Sequence, residues 1–502
     1  MFLGIDFGTT TSQASTVNFD HTFPLLKPGI YGIDSMFYYD SVQGVLVGKE
    51  ATDAGQGRDA INLVKEVKMS LNKTFTLDGR AFTSEEIVKA IYKAVLEQAR
   101  EVASNNSINS EIEGIVLSHP AKFNVQECDL IRNASQYCMD DGKPLNITGL
   151  IKEPVAAALS YYHLNPLAHG TPILVYDLGG GTCDIAIVES DATTKKSFEV
   201  IDSTMVRVGG RDWDKALIDY AVEKIEEESS GTVDIRGNAG YMEKIRRAAI
   251  DAKHTLSNSA YARMRVEIAG EPYAILITRE QFDELTVDLL EKTLNALEDL
   301  YNANVGKATK ITEIICVGGS SNMPQVRDGI QARFPNCKIK ISQPEYAIVN
   351  GAAIYSKLLG ATPAKEIASK CPVQDFLPFS YGIRCLRTRQ GQDEFVIQYI
   401  LLKGSKYPVS IESDKFKIAG SGTSVVIEVF ESECGDDVYP CNAGKNEKSI
   451  GNIVFQMPSG VKQNDKVYCT LSTNDMSTIE VKARNNKGEN VESVFTISSM
   501  HK

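Results

Sequence analysis

Two short segments about 170 residues apart repeat one unusual order of residues, and no other feature restricts the fold as much. The first is Gly4-Ile5-Asp6-Phe7-Gly8-Thr9-Thr10-Thr11, and the second is Tyr176-Asp177-Leu178-Gly179-Gly180-Gly181-Thr182-Cys183-Asp184. In each, an apolar strand delivers an aspartate, a glycine-rich turn follows and a strand resumes. Glycine lets the backbone approach a phosphate and aim several N–H groups at it. An aspartate at a strand end can order the water shell of Mg²⁺, which keeps most of its waters. Either hairpin alone also reads as an ordinary β-turn, but two facing each other would clamp a triphosphate from both sides. This is not a Walker loop, because the G-x-x-x-x-G-K pattern and its following helix are absent. A third loop, Val317-Gly318-Gly319-Ser320-Ser321, leaves an apolar strand and enters a helix near Pro324, and it suits the nucleotide's other end.

Around these loops the first 360 or so residues alternate strand and helix signals. Ile115-Val116-Leu117, Ile173-Leu174-Val175-Tyr176 and Ile314-Ile315-Cys316-Val317 are short apolar runs, as in strands buried on both faces. Thr83 and Glu86 form a capping box ahead of Ile87, Ala90, Ile91, Ala94 and Val95. Thr278 and Gln281 do the same for a helix expected to bury Phe282, Leu285, Leu289 and Leu297. The pattern predicts an α/β domain over 1–360. Gly360, Pro363, Pro372 and Pro378 then punctuate a stretch that reads as a linker, 361–377. From 378 to 502 the expectation is an all-β domain, with strands at Phe395–Leu402, Val425–Phe430, Gly451–Met457, Lys466–Thr473, Thr478–Ala483 and Val491–Ile497.

A chain of 502 residues exceeds one compact core, in keeping with that division. Its net charge of −12 argues against nucleic acid or an anionic membrane as the main partner. No secretory signal and no apolar run of membrane-spanning length is visible, and ten cysteines without a C-x-x-C pair read as reduced thiols, so a cytoplasmic location is expected. Cys434 and Cys441, close together in one polar loop, are the nearest approach to a cross-link or metal pair.

The three phosphate-type loops, in this order, resemble the actin-like ATPase superfamily. Further stretches narrow the resemblance to the DnaK-type, seventy-kilodalton heat-shock chaperones: Ile151-Lys152-Glu153-Pro154-Val155-Ala156-Ala157-Ala158, Pro344 with Gly351-Ala352-Ala353, and Leu377-Pro378-Phe379-Ser380-Tyr381-Gly382-Ile383. The resemblance covers nearly the whole chain. It implies a two-lobed actin-like ATPase domain followed by a β-sandwich peptide-binding domain, with ATP or ADP and Mg²⁺ as cofactors.

By that resemblance Asp6 and Asp177 would surround hydrated Mg²⁺. Lys68 would approach the γ-phosphate and help place the attacking water, Glu153 and Asp184 would complete the polar shell, and Thr182 would hydrogen-bond the γ-phosphate. Gly8, Thr9, Thr10, Thr11, Gly179, Gly180, Gly181, Gly209, Gly210, Gly318, Gly319 and Ser320 would line the phosphates, and Lys253, Ser257, Asn322 and Glu345 the nucleoside. Phosphoryl transfer needs mainly positioning and charge neutralisation, so this set suffices in kind. Without the resemblance, Lys68 reads as a solvated helix-face lysine and Glu153 as a helix-start carboxylate beside Pro154. The peptide cleft would draw on Ile397, Phe416, Val425 and Ile427, each of which reads equally as β-domain core.

The chain departs from the family pattern at several points. Ile250 stands where a ribose-binding glutamate is usual, Asn322 where an arginine stacks on adenine, and Arg211 where an acid is usual; weaker nucleotide binding is expected. Val373-Gln374-Asp375-Phe376-Leu377 is short of the family's leucine-rich linker. Pro120 fits a relay proline whose arginine partner is replaced by Cys128, and Gly149 replaces the arginine that helps recruit J-domain partners. Lys502 falls where a helical lid would begin. The leading expectation is a lidless chaperone that hydrolyses ATP slowly and holds unfolded or extended peptide segments, with a J-domain protein and a nucleotide exchange factor as possible co-chaperones. A non-cycling relative assisting another chaperone or the ribosome is the alternative; a sugar-kinase-like enzyme or a filament-forming protein would have no use for the β-domain.

Overall fold

The computed structural model describes residues 1–491 apart from 56, 139–142, 166–167, 169, 192–197, 230–232, 305–310, 342, 361–372, 390–391, 408, 434–437, 441–446, 474–478 and 486–489. Two compact units emerge: Met1–Ala121 with Ile131–Ala361, and Lys122–Leu130 with Thr362–Lys502.

The first unit contains the same sheet twice. In one copy the strands run Ile147–Lys152, Gly114–His119, Phe2–Phe7, Thr11–Asn18, His21–Pro24; in the other, Lys338–Ile341, Glu313–Val317, Ile173–Leu178, Cys183–Ser190, Phe198–Val206. Each has three parallel strands, and the last of them, Phe2–Phe7 or Ile173–Leu178, at the middle of the sheet, turns back through an antiparallel hairpin. The parallel strands Gly114–His119 and Ile173–Leu178 are buried along their length, which is why they read as apolar runs. Helices cover the sheets. Ser84–Asn105 opens on the expected capping box, with Glu86 N–H donating to Thr83 Oγ1 at 3.2 Å and Thr83 N–H to Glu86 Oε2 at 2.7 Å. Arg279–Asn304 follows the reciprocal Thr278–Gln281 pair. Phe282 and Leu297 of that helix are buried and Leu289 partly so, but Leu285 is 45% exposed. Its four-residue step to Leu289 suggested one face; the buried stripe instead runs through Phe282, Thr286 and Thr293, two of them core threonines whose hydroxyls donate back to helix carbonyls.

The second unit is built from strands. Its five-stranded sheet runs Val438–Pro440, Gln392–Leu401, Ser380–Arg389, Gly422–Ser432, Glu447–Val461, and its four-stranded sheet Val409–Lys417, Lys466–Thr473, Ile479–Asn485, Asn490–Val491. Alternate side chains of both, including Tyr381, Ile383, Ile427, Phe455, Phe416, Leu471 and Val481, meet in one core. Strands Ser380–Arg389 and Val409–Lys417 escape the sequence pattern because charged residues interrupt their alternation. The stretch read as linker ends in a strand, Val373–Phe376, paired antiparallel with Lys406–Tyr407; positions 361–372, both cysteines of the Cys434–Cys441 pair, and all but Val491 of the expected strand Val491–Ile497 lie outside the described residues. No helix of the described residues is long and apolar enough to cross a membrane.

Candidate functional site

The duplicated hairpins bring equivalent positions to equivalent places. Asp6 pairs with Gln13 across the first ladder, and Asp177 pairs with Asp184 across the second. The turns between them face one another: the Thr10 side chain lies against Gly180, and Thr9 Oγ1 and Met69 Sδ lie against Gly181. The first turn is braced by Ser35, whose hydroxyl donates to Gly8 O at 2.8 Å and whose N–H donates to Thr10 O at 2.8 Å.

Behind the turns, Lys68 Nζ donates to Glu153 Oε1 at 2.5 Å, with both side chains buried. Lys68 rides on a short 3-10 helix, Val67–Ser70, and its ammonium sits 5.9 Å from the centre of the Phe7 ring. Glu153 begins the helix Glu153–Leu164 directly after a parallel strand, with Pro154 in the first turn where a missing N–H costs nothing. Ser118 Oγ donates to Asp6 Oδ1 at 2.5 Å, and the Ala121 N–H donates to Asp184 Oδ1 at 2.7 Å. Asp177 is buried, and its Oδ1 has no hydrogen-bond partner among the described residues.

One ammonium therefore faces four carboxylates, three of them buried and that of Asp6 partly so. Burial, then the charges of Glu153, Asp184 and Asp6, push the Asp177 carboxyl well above the usual range. Burial also raises Glu153, to about 8, against the pull of Lys68. Burial works against the Lys68 charge, but Glu153, Asp6 and Asp184 outweigh it and the ammonium holds its proton more tightly than usual. The cluster lacks positive charge, and a cation is what it can hold. Among the described residues no three acidic, histidine or cysteine side chains converge closely enough to ligate an ion directly.

Gly209 and Gly210 bring a third element to this point. A side chain at Gly209 would stand 2.5 Å from Gly181 N, so only glycine allows the approach. The N–H groups of Gly210 and Arg211 donate to Gly179 O and Gly180 O, both at 2.9 Å. Lys253, from the helix Ala239–Asn258, donates to Gly210 O at 3.2 Å and pairs with Asp214 at 2.7 Å. Ser257 Oγ donates back to Lys253 O. On the other side Ser320 Oγ donates to Gly179 O at 3.1 Å, and a side chain at Gly318, whose φ is +79°, would clash with Leu178 O. Asn322 Nδ2 donates to Glu345 Oε1 at 3.0 Å and to Gly319 O at 3.2 Å. Thr11 and Thr182 are partly buried at the ends of the two turns.

Of the residues assigned to the peptide cleft, Phe416 and Ile427 lie in the main core of the second unit with Val425 packed against it. Ile397 belongs to a separate cluster with Tyr399 and Phe430. Ser118, Ala121, Met69 and Asp214 were not singled out in the sequence. Ser118 carried a usable signal, since it stands at the carboxyl end of a parallel strand, where open α/β sheets gather ligand contacts.

The family model described as Hsp70 protein matches residues 45–502. The chain is also similar to proteins named Chaperone protein DnaK. The relatives from Thermotoga petrophila and Thermotoga maritima are 28% identical over 446 residues, 86% of this chain and 70% of theirs. That from Thermotoga neapolitana is 28% identical over 447 residues, again 86% and 70%.

Proposed function

The chain belongs to the Hsp70 family, and on that premise we propose that it is a chaperone that binds ATP or ADP with hydrated Mg²⁺ between its two hairpins, hydrolyses ATP slowly and holds extended peptide segments on its β unit. The observation that carries this reading is the buried Lys68–Glu153 pair set among Asp6, Asp177 and Asp184 at the meeting of the two turns. Mg²⁺ held through its waters by Asp6 and Asp177 would neutralise phosphate charge. Lys68, charged at any physiological pH, provides a fixed positive point for the γ-phosphate. Glu153 and Asp184 orient water beside it, while Thr182 and the turn N–H groups hold the phosphate oxygens. By this reading the first unit is an actin-like ATPase domain, the second a β-sandwich for peptide, and J-domain proteins and exchange factors are candidate partners in the cytoplasm.

The alternative, a non-cycling relative that assists another chaperone or the ribosome, draws support from Gly149. It is buried, and a side chain there would press on Leu359 at 2.8 Å and approach Tyr355. A partner-recruiting arginine does not fit that position without repacking. Single-turnover ATP hydrolysis with and without an unfolded peptide separates the two. Stimulated turnover supports the cycling chaperone; nucleotide binding without turnover overturns it in favour of the alternative.

A further inference from the structure

The helix Ala239–Asn258 carries a second charged cluster, one that plays no part in the site described above. Glu243 is 3% exposed, and its carboxylate is shared by three cations. Arg246 donates to it twice, at 2.8 and 2.9 Å, Arg247 donates at 3.0 Å, and Lys65 reaches it from 178 positions earlier in the chain. Arg247 also donates to Thr52 O. The neighbouring acids are already engaged: Glu66 with Arg211 at 3.3 Å, and Asp214 with Lys253. Burial alone would raise the Glu243 carboxyl, yet its Arg246 and Lys65 partners hold it at about 2, so it stays ionised. Burial and Arg246 in turn lower the Lys65 ammonium. Three cations on one carboxylate leave positive charge unmatched. Their side chains are 27%, 21% and 30% exposed for Lys65, Arg246 and Arg247, open to an anion from solvent.

The position of this charge is informative. Lys253, on the same helix, touches Gly210 beside the second phosphate turn. From Lys253 back to Arg246 the helix rises about 10 Å, a span that a nucleoside bridges. Ile250, in the intervening turn, carries no charge to repel an anion. We propose that Lys65, Arg246 and Arg247 form a subsite for a phosphoryl group on the ribose, so that the protein takes adenine nucleotides phosphorylated at the 2′ or 3′ hydroxyl. The inference rests on the nucleotide reading above. Arg246 and Arg247 spend their Nε and Nη2 groups on Glu243 and Thr52, which leaves the Nη1 edges and the Lys65 ammonium to face a phosphate dianion.

Calorimetric titration of the full chain with ADP, with ADP carrying a 2′- or 3′-phosphate, and with inorganic phosphate tests it. One of the ribose-phosphorylated nucleotides should bind about tenfold more tightly than ADP. In Lys65→Gln and in Arg247→Gln that ratio, taken on the same preparation, should fall to about one. Equal or weaker binding of both phosphorylated forms overturns the subsite while leaving the nucleotide site standing. So does a preference that neither substitution reduces. Inorganic phosphate held by the three cations, with no preference among nucleotides, marks a free-anion site and also overturns it. Failure of ADP itself to bind removes the nucleotide reading and this inference together.

Discussion

Asp177 and Asp184 stand directly opposite each other in the antiparallel ladder that closes the second phosphate turn. Like charges so placed repel, and here both are buried. Neutralising one should therefore stabilise the protein without nucleotide while weakening its hold on Mg²⁺ and ATP. For Asp177→Asn the expected gain is on the order of 1 kcal/mol. Thermal unfolding with and without Mg-ATP checks it: the midpoint rises in the first case, and the nucleotide-induced increment shrinks in the second.

The Lys68–Glu153 pair leads to a different expectation. Lys68→Ala leaves Glu153 buried without its cation and should cost about 3–5 kcal/mol in urea unfolding. Replacing both by apolar residues, Lys68→Met with Glu153→Leu, should recover most of that loss. Single-turnover hydrolysis should be absent from both variants, which separates the stability role from the chemical one.

At the nucleoside end, Asn322 is tied to Glu345 and Gly319 and offers the base no charged plane. Asn322→Arg should tighten ATP binding about three- to tenfold, the effect of a cation stacked on an aromatic face. Unchanged affinity by calorimetry would mean that the base does not lie against this loop.

Glu431 in the second unit makes stability depend on pH. Burial raises its carboxyl from the ordinary 4.5 to about 7, and its Oε2 has no partner among the described residues. Because the folded form holds this proton more tightly than the unfolded chain, its stabilising effect is complete below pH 4.5 and is lost as pH rises through about 7. At about 1.4 kcal/mol per pKa unit, the rise from 4.5 to about 7 makes the loss about 3.5 kcal/mol. Glu431→Gln should flatten the decline between those pH values, as read from denaturant midpoints across the range.

The hairpins were legible because strand, aspartate and glycine turn are all local, and the capping boxes for the same reason. What a residue meets across the fold was not. Nothing near Ser118 in the chain points to Asp6, 112 positions away. The charges of Lys65, Arg246 and Arg247 look like ordinary solvated surface until folding closes them on Glu243. Apolar spacing points Leu285 at the core, but Thr286 and Thr293 occupy that stripe and Leu285 faces out. Strand Val373–Phe376 reads as linker because its partner, Lys406–Tyr407, lies some thirty residues on and is only two residues long.

The contact of Gly209 with Gly181 has a mechanical consequence. Backbone rests on backbone there, and two further hydrogen bonds fasten the start of the helix Gly210–Glu228 to the turn. No flexible side chain lies between to absorb a shift. The nineteen residues of that helix span about 28 Å, so a tilt of about 5° at the turn swings its far end by about 2 Å. The helix is a lever whose fulcrum is the phosphate turn, and a small adjustment there is magnified at the distant surface around Glu228.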